Sequence, residues 1–116
     1  MKKIEGWVTA PQGFIAAGVK AGIKVSGNHD VAVIYSTVPA ATGAVFTQNK
    51  MCAAPVTVSR RVAQEAYAQA IIVNSGCANA CTGEQGLQDA EAMQKFAAGL
   101  LGLEAQQVYV CSTGVI

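Results

Sequence analysis

The sequence predicts an α/β protein of the α+β type, in which helices cover a mixed sheet. Short β-branched apolar runs at residues 31–35 and 108–110 predict buried strands. The longest helical pattern occupies residues 82–102, just before the second of these runs. The chain has 116 residues, 52% hydrophobic and 13% charged. This balance favours one globular domain over residues 1–116 and excludes a disordered, highly charged segment.

The first half of the chain is predicted to form strands. Residues 14–19 predict a short strand, and residues 31–35 predict the next one. Residues 37–42 include Pro39 and predict a loop, after which residues 43–47 predict another strand. Because a short loop joins residues 31–35 to residues 43–47, these two strands are expected to pair antiparallel.

A helix and a strand are predicted next. Residues 56–58 indicate a short extended piece, and the hydroxyl of Ser59 is a candidate N-cap acceptor for the helix that follows. Helical spacing continues through five apolar or small residues: Val62, Ala63, Ala66, Tyr67 and Ala70. Residues 71–73 then predict a strand that leads into a turn at residues 74–76.

The long helix that follows has clear signals at both ends. Thr82 and Gln85 have the spacing of a capping box, and Gly102 is suited to end the helix in a left-handed conformation. Glu91 and Lys95 have the spacing of an i,i+4 ion pair. One face is apolar and consists of Ala90, Met93, Ala97, Leu100 and Leu101.

Composition and charge exclude several classes of function. The net charge is +1 and the cations are scattered, so the sequence lacks the basic stripe that binds nucleic acid. The sequence has no apolar run long enough to span a bilayer, and Glu5 follows Lys2 and Lys3 where a signal peptide would turn apolar. We therefore expect a soluble, cytoplasmic protein that binds neither nucleic acid nor membrane.

The four cysteines are Cys52, Cys77, Cys81 and Cys111. Without a secretory signal they are expected to be free, buried thiols. Cys77 and Cys81 lie four residues apart, which also suggests a metal site. However, His29 is the single histidine and the sequence has no second cysteine pair, so the pattern departs from zinc-ligand spacings and no metal is expected.

Two turns rich in small residues are candidate sites. Residues 74–83 lie at the entry to the long helix, whose first N–H groups can hold an anion. The alternative is a capped helix whose Asn side chains satisfy the loop backbone. In the turn at residues 112–114, the Thr113 hydroxyl and the Gly114 N–H can present two donors to one oxygen, as in an oxyanion hole. The alternative is a turn that merely ends the last strand.

Two further groups of side chains have chemical alternatives. His29 beside Asp30 has the composition of a general base and its orienting partner. Adjacent side chains usually point apart, however, which favours a surface turn. Cys111 is a candidate nucleophile, but no base lies near it in the sequence, so a buried thiol at a strand end is favoured.

Four ordered motifs together resemble one family. They are Val-Thr-Ala-Pro-Gln-Gly-Phe at residues 8–14, Phe-Thr-Gln-Asn at 46–49 with Ala-Ala-Pro-Val at 53–56, Ile-Val-Asn-Ser-Gly-Cys-Ala-Asn-Ala-Cys-Thr-Gly at 72–83, and Cys-Ser-Thr-Gly-Val-Ile at 111–116. The combination resembles the ornithine acetyltransferase (glutamate N-acetyltransferase) family over nearly the whole chain.

The resemblance implies a fold, an activity and partners. The implied fold is an αββα sandwich built from an α chain and a β chain, with residues 1–116 as the amino-terminal part of the α chain. Family members transfer acetyl from N-acetylornithine to glutamate in arginine biosynthesis, and some also use acetyl-CoA as a substrate, with no cofactor. The precursor cleaves itself before a threonine, which becomes the nucleophile of the β chain. An α2β2 heterotetramer is therefore expected.

The resemblance also assigns roles to residues. The threonine and glycine of the Ser-Thr-Gly motif form the family's oxyanion hole, and here these residues are Thr113 and Gly114. No threonine of this sequence stands in the family's cleavage context, so the nucleophile and the substrate-binding residues are expected in the remainder of the protein. Two alternatives stay open: a non-catalytic anion-binding module at residues 74–83, and part of a related self-processing aminopeptidase.

Overall fold

Two helices lie on one face of a four-stranded sheet. The computed structural model describes residues 5–115. The strands are β1 (Phe14–Val19), β2 (Val31–Ala41), β3 (Tyr67–Ser75) and β4 (Val108–Thr113), and the helices are α1 (Ala54–Val62) and α2 (Gly83–Leu101). Short 3-10 turns occupy Trp7–Thr9 and Ala105–Gln107. No helix in the described part of the chain is long and apolar enough to cross a membrane.

The sheet is mixed and has the order β1-β2-β3-β4. The β1–β2 and β2–β3 pairs are antiparallel, whereas β3 and β4 are parallel and are joined through α2. A crossover helix is the usual connection between neighbouring parallel strands. The α+β class and the mixed sheet predicted from the sequence are therefore confirmed.

The core lies between the sheet and the two helices. Ile72 of β3 is in register with Val110 of β4 and with Val33 of β2, so the three side chains share the face toward the helices. The helices contribute buried Val58, Ala90 and Ala97 among others. The opposite face presents the intervening apolar residues, including Ile71, which is 36% exposed. We call this opposite face the outer sheet face.

The predicted strand at residues 14–19 is confirmed as β1. The predicted loop at residues 37–42 is wrong, because β2 continues to Ala41. Pro39 is accommodated because the register with β3 shifts between Tyr35 and Ala40, where a missing backbone N–H breaks no regular ladder.

The predicted strand at residues 43–47 is wrong as well. The antiparallel pairing predicted between residues 43–47 and residues 31–35 is therefore also wrong. This segment is irregular, and Val45 is 98% exposed. Arg60 of α1 holds the segment instead, since its guanidinium stacks on the Phe46 ring at 5.7 Å and donates to the Thr47 carbonyl. Strand β2 finds its antiparallel partners in β1 and β3.

The first helix lies earlier than predicted. Residues 56–58 are helical, not extended, because α1 begins at Ala54 with Pro55 in its first turn, where a proline breaks no helical hydrogen bond. Ser59 is therefore inside the helix and not its N-cap. Tyr67 and Ala70, predicted to be helical, belong to β3, and this strand contains the predicted strand at residues 71–73.

The long helix is confirmed as α2, and Gly102 ends it with φ 67° as predicted. The predicted capping box is wrong. The Thr82 hydroxyl donates to the Asn79 side chain, and the Gln85 side chain donates to Asp89. The backbone at Thr82 is not extended (ψ 3°), so its side chain makes no capping bond.

Two side-chain predictions for α2 are also corrected. Glu91 forms its ion pair with Arg61 of α1, at 2.5 Å, and not with Lys95. The apolar face predicted for the helix is buried at Ala90 and Ala97, but Leu100 is 72% exposed. Leu100 instead borders an apolar groove between the end of α2 and the first two strands.

Candidate functional site

The two small-residue segments meet at one edge of the sheet, although the predicted turns begin later than expected, because β3 continues to Ser75 and β4 to Thr113. Because β3 and β4 are parallel, they end side by side, with Ser75 in register with Thr113. The Gly76 N–H then donates to the Thr113 carbonyl oxygen, with 2.9 Å between nitrogen and oxygen. Residues 74–77 and 112–114 therefore form one structural unit, which we call the strand-end site.

Gly114 fits against the backbone of the neighbouring turn so closely that no side chain could occupy its position. A Cβ atom added to Gly114 would lie 2.5 Å from the Cys77 nitrogen and 2.7 Å from the Gly76 carbonyl carbon. Both of these neighbours are backbone atoms, which cannot swing aside as a flexible side chain could. The Thr113–Gly114 backbone is therefore held in place, while both residues remain exposed to solvent.

A third segment, the loop of residues 20–30, packs against the strand-end site. Asp30 is only 3% exposed, and its carboxylate accepts hydrogen bonds from three backbone N–H groups of this loop. These belong to Ala21 (2.6 Å), Ile23 (2.6 Å) and Lys24 (3.0 Å). The hydrogen bonds from Ala21 and Lys24, followed by that from Ile23, lower the pKa of Asp30 against the opposing effect of burial.

The structure does not support His29 and Asp30 as a general-base pair. His29 is exposed, and both Asp30 oxygens are already occupied by loop N–H groups. Sequence reasoning missed the structural role of Asp30 because its three donors are backbone groups, six to nine residues away. The favoured surface turn is thus correct for His29, whereas Asp30 is buried.

The loop at residues 74–83 is stabilised by its own asparagines. The Asn74 side chain donates to the Cys77 carbonyl at 3.0 Å, and the Asn79 side chain donates to the Gly86 carbonyl at 2.7 Å. Glu84 adds a negative charge in the first turn of α2, which opposes the binding of an anion there. These contacts favour the structural alternative for this loop, in which Asn side chains satisfy backbone groups.

The cysteines are more exposed than expected. All four thiols are free, and Cys77, Cys81 and Cys111 are exposed, so the prediction of buried thiols is wrong for these three. Partial desolvation raises the pKa of the Cys111 thiol, which disfavours the reactive thiolate. Among residues 5–115, no group of three or more potential ligands is arranged to hold a metal ion.

An apolar cavity of about 640 Å³ opens beside β4 and reaches Ser112. Phe14, Ile34 and Tyr109 of the outer sheet face line it, together with residues of the irregular segment before α1. None of its lining residues is charged, so it is better suited to packing against further apolar structure than to binding a charged small molecule.

Comparisons with known proteins give the same family that the four sequence motifs resemble. The family model described as "ArgJ family" matches residues 15–116. The chain belongs to the ArgJ family. It is 51% identical, over 116 residues, to the arginine biosynthesis bifunctional protein ArgJ of Caldanaerobacter subterraneus subsp. tengcongensis, and 50% identical to the protein of the same name from Lactococcus lactis subsp. lactis. It is covered completely in both cases but spans only 28% and 29% of these ArgJ proteins.

Solved ArgJ structures share the fold. The crystal structure of arginine biosynthesis bifunctional protein ArgJ from Bacillus halodurans matches 96% of this chain and 58% of its own, with a TM-score of 0.90 and 46% identity. The ornithine acetyltransferase of Mycobacterium tuberculosis, solved in complex with ornithine, matches 94% of this chain and 60% of its own, also with a TM-score of 0.90 and 46% identity. The resemblance inferred from the motifs is therefore confirmed, and the mixed sheet with its two helices has the fold of the matching part of these structures.

Proposed function

We propose that this chain is part of a glutamate N-acetyltransferase that moves acetyl from N-acetylornithine to glutamate in arginine biosynthesis. Membership of the ArgJ family supports the proposal, as do relatives named arginine biosynthesis bifunctional proteins and a similar ornithine acetyltransferase solved with ornithine. The word bifunctional in the relatives' names is consistent with acetyl-CoA as a second acetyl donor. No cofactor takes part in the proposed reaction.

In this proposal Thr113 and Gly114 form the oxyanion hole. A threonine nucleophile from the remainder of the protein attacks the acetyl carbonyl of N-acetylornithine, and the carbonyl oxygen becomes negatively charged. Collapse of this intermediate breaks the amide C–N bond, and ornithine leaves when its nitrogen takes up the proton given up by the threonine hydroxyl, so that an acetyl ester remains on the nucleophile. The amine of glutamate then attacks this ester, and collapse breaks its C–O bond to give N-acetylglutamate and the free threonine, whose oxygen takes up a proton from the amine. The Thr113 hydroxyl and the Gly114 N–H donate to the negative oxygen in both steps.

The observation that carries this assignment is the contact of Gly114 with the Gly76–Cys77 backbone. Donors in an oxyanion hole are effective because they are already in position when charge develops. A backbone that packs directly against its neighbour and is hydrogen-bonded to it, at the end of a paired strand, meets that requirement. Exposure of Thr113 and Gly114 leaves them accessible to a substrate.

The proposed partners are the remainder of the α chain and the self-cleaved β chain, assembled as an α2β2 heterotetramer in the cytoplasm. The outer sheet face supports a further layer, because its apolar side chains include Ile71 and Tyr109 and it borders the large apolar cavity. Burying such a surface against a second sheet is the arrangement of an αββα sandwich.

The test is Thr113→Ala in the complete protein, meaning this chain together with the remainder that its relatives have. Loss of one oxyanion donor is expected to lower kcat by about 10²–10³-fold, with a much smaller change in the KM for N-acetylornithine. Self-cleavage passes through a similar negatively charged intermediate, so uncleaved precursor is expected to accumulate on a gel.

Thr113→Ser is the matched control, because it keeps the hydroxyl and removes only a methyl group. It is expected to retain most of the activity. A Thr113→Ala enzyme with near-normal kcat and normal cleavage would show that the turn is structural only.

A further inference from the structure

We infer that Asp30 is a positioning residue for the oxyanion hole, acting through the loop of residues 20–30 and Gly76 on the Thr113–Gly114 turn. The inference rests on the proposed function, since it assigns a role to Asp30 in the same reaction. Within residues 5–115, the Asp30 side chain makes its hydrogen bonds to its own loop and none to Thr113 or Gly114. Its effect on the position of these two residues therefore passes through intervening contacts. Three successive contacts carry it.

The first contact is between Asp30 and its own loop. One carboxylate oxygen binds the Ala21 N–H, and the other binds the N–H groups of Ile23 and Lys24. Hydrogen bonds to a charged group are the stronger ones, and three of them converge here on one buried side chain. They fix the backbone of residues 21–24 in one conformation.

The second contact joins this loop to the end of β3. The Ser75 N–H donates to the Asp30 carbonyl oxygen at 2.7 Å, which ties the two segments together. A Cβ atom added to Gly76 would lie 2.8 Å from Lys24 Cγ and 3.2 Å from Ile23 Cγ2. The loop that Asp30 organises therefore fills the space beside Gly76 and limits movement of this glycine in that direction.

The third contact joins Gly76 to the oxyanion turn. Its N–H donates to the Thr113 carbonyl at 2.9 Å, and its carbonyl carbon lies against Gly114. The loop, Gly76 and Gly114 thus pack one against the next, and through these contacts a displacement of the loop reaches the Thr113–Gly114 turn. A displacement of about 1 Å at a catalytic group can lower a rate by about 10²-fold.

The test is Asp30→Asn in the complete protein, alone and combined with Thr113→Ala. Asparagine keeps the size of the side chain but removes its charge and one acceptor. We expect Asp30→Asn to lower kcat by about 10-fold or more with a smaller change in KM, because the transition state depends on the position of the donors. We also expect the double variant to lose less than the product of the two single losses, because both changes act on the same turn.

The outcomes separate this inference from the proposed function. If Thr113→Ala lowers kcat but Asp30→Asn does not, or if the two losses multiply, the positioning role is wrong and the oxyanion assignment stands. If Thr113→Ala leaves kcat unchanged, the oxyanion assignment itself is wrong and the positioning role falls with it.

A second pair of variants covers the case in which Asp30→Asn does not fold. Lys24→Ala removes the Cγ atom that packs beside Gly76 but keeps the backbone N–H that Asp30 binds. Lys24→Met keeps Cγ and removes the ammonium group, which donates to the His29 carbonyl. We expect Lys24→Ala to lower kcat several-fold more than Lys24→Met. Equal losses would show that the ammonium, and not the packing, matters, and would overturn the inference.

Discussion

Ser59→Ala is expected to destabilise the fold strongly, because one hydroxyl satisfies two backbone groups of an edge strand. Strand β4 pairs with β3 on one side only, so the N–H and carbonyl of Val110 point away from the sheet. The Ser59 hydroxyl accepts from the Val110 N–H at 3.0 Å and donates to the Val110 carbonyl at 2.9 Å. Ser59 is 5% exposed and Val110 is 2% exposed, so both groups are largely withdrawn from bulk water.

The magnitude follows from these two groups. Each buried backbone group left without a partner costs about 1–3 kcal/mol. Alanine recovers roughly 0.5 kcal/mol through its higher helix propensity at this position in α1. For two such groups, the expected net loss in the free energy of unfolding is therefore about 1.5–5.5 kcal/mol. With a urea m-value of about 1–2 kcal/mol per M, the unfolding midpoint falls by roughly 1–5 M.

Equilibrium unfolding in urea, followed by circular dichroism, measures this loss. Thr57→Ala is the matched control, because it removes a hydroxyl from the same helix whose contact is a cysteine sulfur at 3.7 Å. The control is expected to change the free energy of unfolding by less than about 1 kcal/mol. If Ser59→Ala and Thr57→Ala shift the midpoint equally, the two hydrogen bonds to Val110 do not stabilise the edge strand.

Two further predictions concern a glycine and an acid. Gly86→Ala is expected to destabilise the protein by about 1–2 kcal/mol despite alanine's helix propensity, because the new Cβ would lie within 3.0 Å of Thr82 and Asn79 atoms. In Gly99→Ala, in the same helix, the new Cβ has no atom within 4 Å and should stabilise the protein by up to about 1 kcal/mol. Thermal unfolding measures both effects, and a shift of the two melting temperatures in the same direction would refute this contrast. The pKa of Asp30 is lower in the folded protein than in the unfolded chain. Its carboxylate therefore adds to the free energy of unfolding above the unfolded pKa of about 3.9, and this addition is lost as pH falls through the lower folded pKa. The stability difference between the parent protein and Asp30→Asn should therefore shrink below about pH 4, and a constant difference would contradict the linkage.

The regular elements could be predicted where local pattern and tertiary packing agree. Helix α2 shows apolar spacing and ends at Gly102, whose left-handed conformation is a local property of glycine. Strand cores at residues 71–73 and 108–110 are apolar runs in which Ile72, Val108 and Val110 are buried against the helices. In each element at least part of the predicted apolar pattern enters the core, for example Ala90 and Ala97 of α2 and Ile72 of β3.

Predictions failed where a distant contact decides the local structure. Residues 43–47 have the composition of a strand, but Arg60 binds Phe46 and Thr47 and keeps the segment irregular. Ser59 has the composition of an N-cap, but its hydroxyl bonds to a strand 51 residues away. Thr113 and Gly114 could be assigned a function only through the family motif, since a Thr-Gly pair at a strand end is common in many folds.

The strand-end site lies next to the outer sheet face, where the proposed second layer of the enzyme would pack. Tyr109 and Thr113 lie on the same face of β4 because side chains alternate along a strand. The exposed Cys111 lies between them on that face. Thr113 follows Cys111 by two residues, which is about 7 Å along the strand. A second sheet packed on this face would therefore bring its own residues to the border of the Thr113–Gly114 turn. Under the proposed function, a nucleophile carried by that layer needs no rearrangement of β4 to reach Thr113 and Gly114.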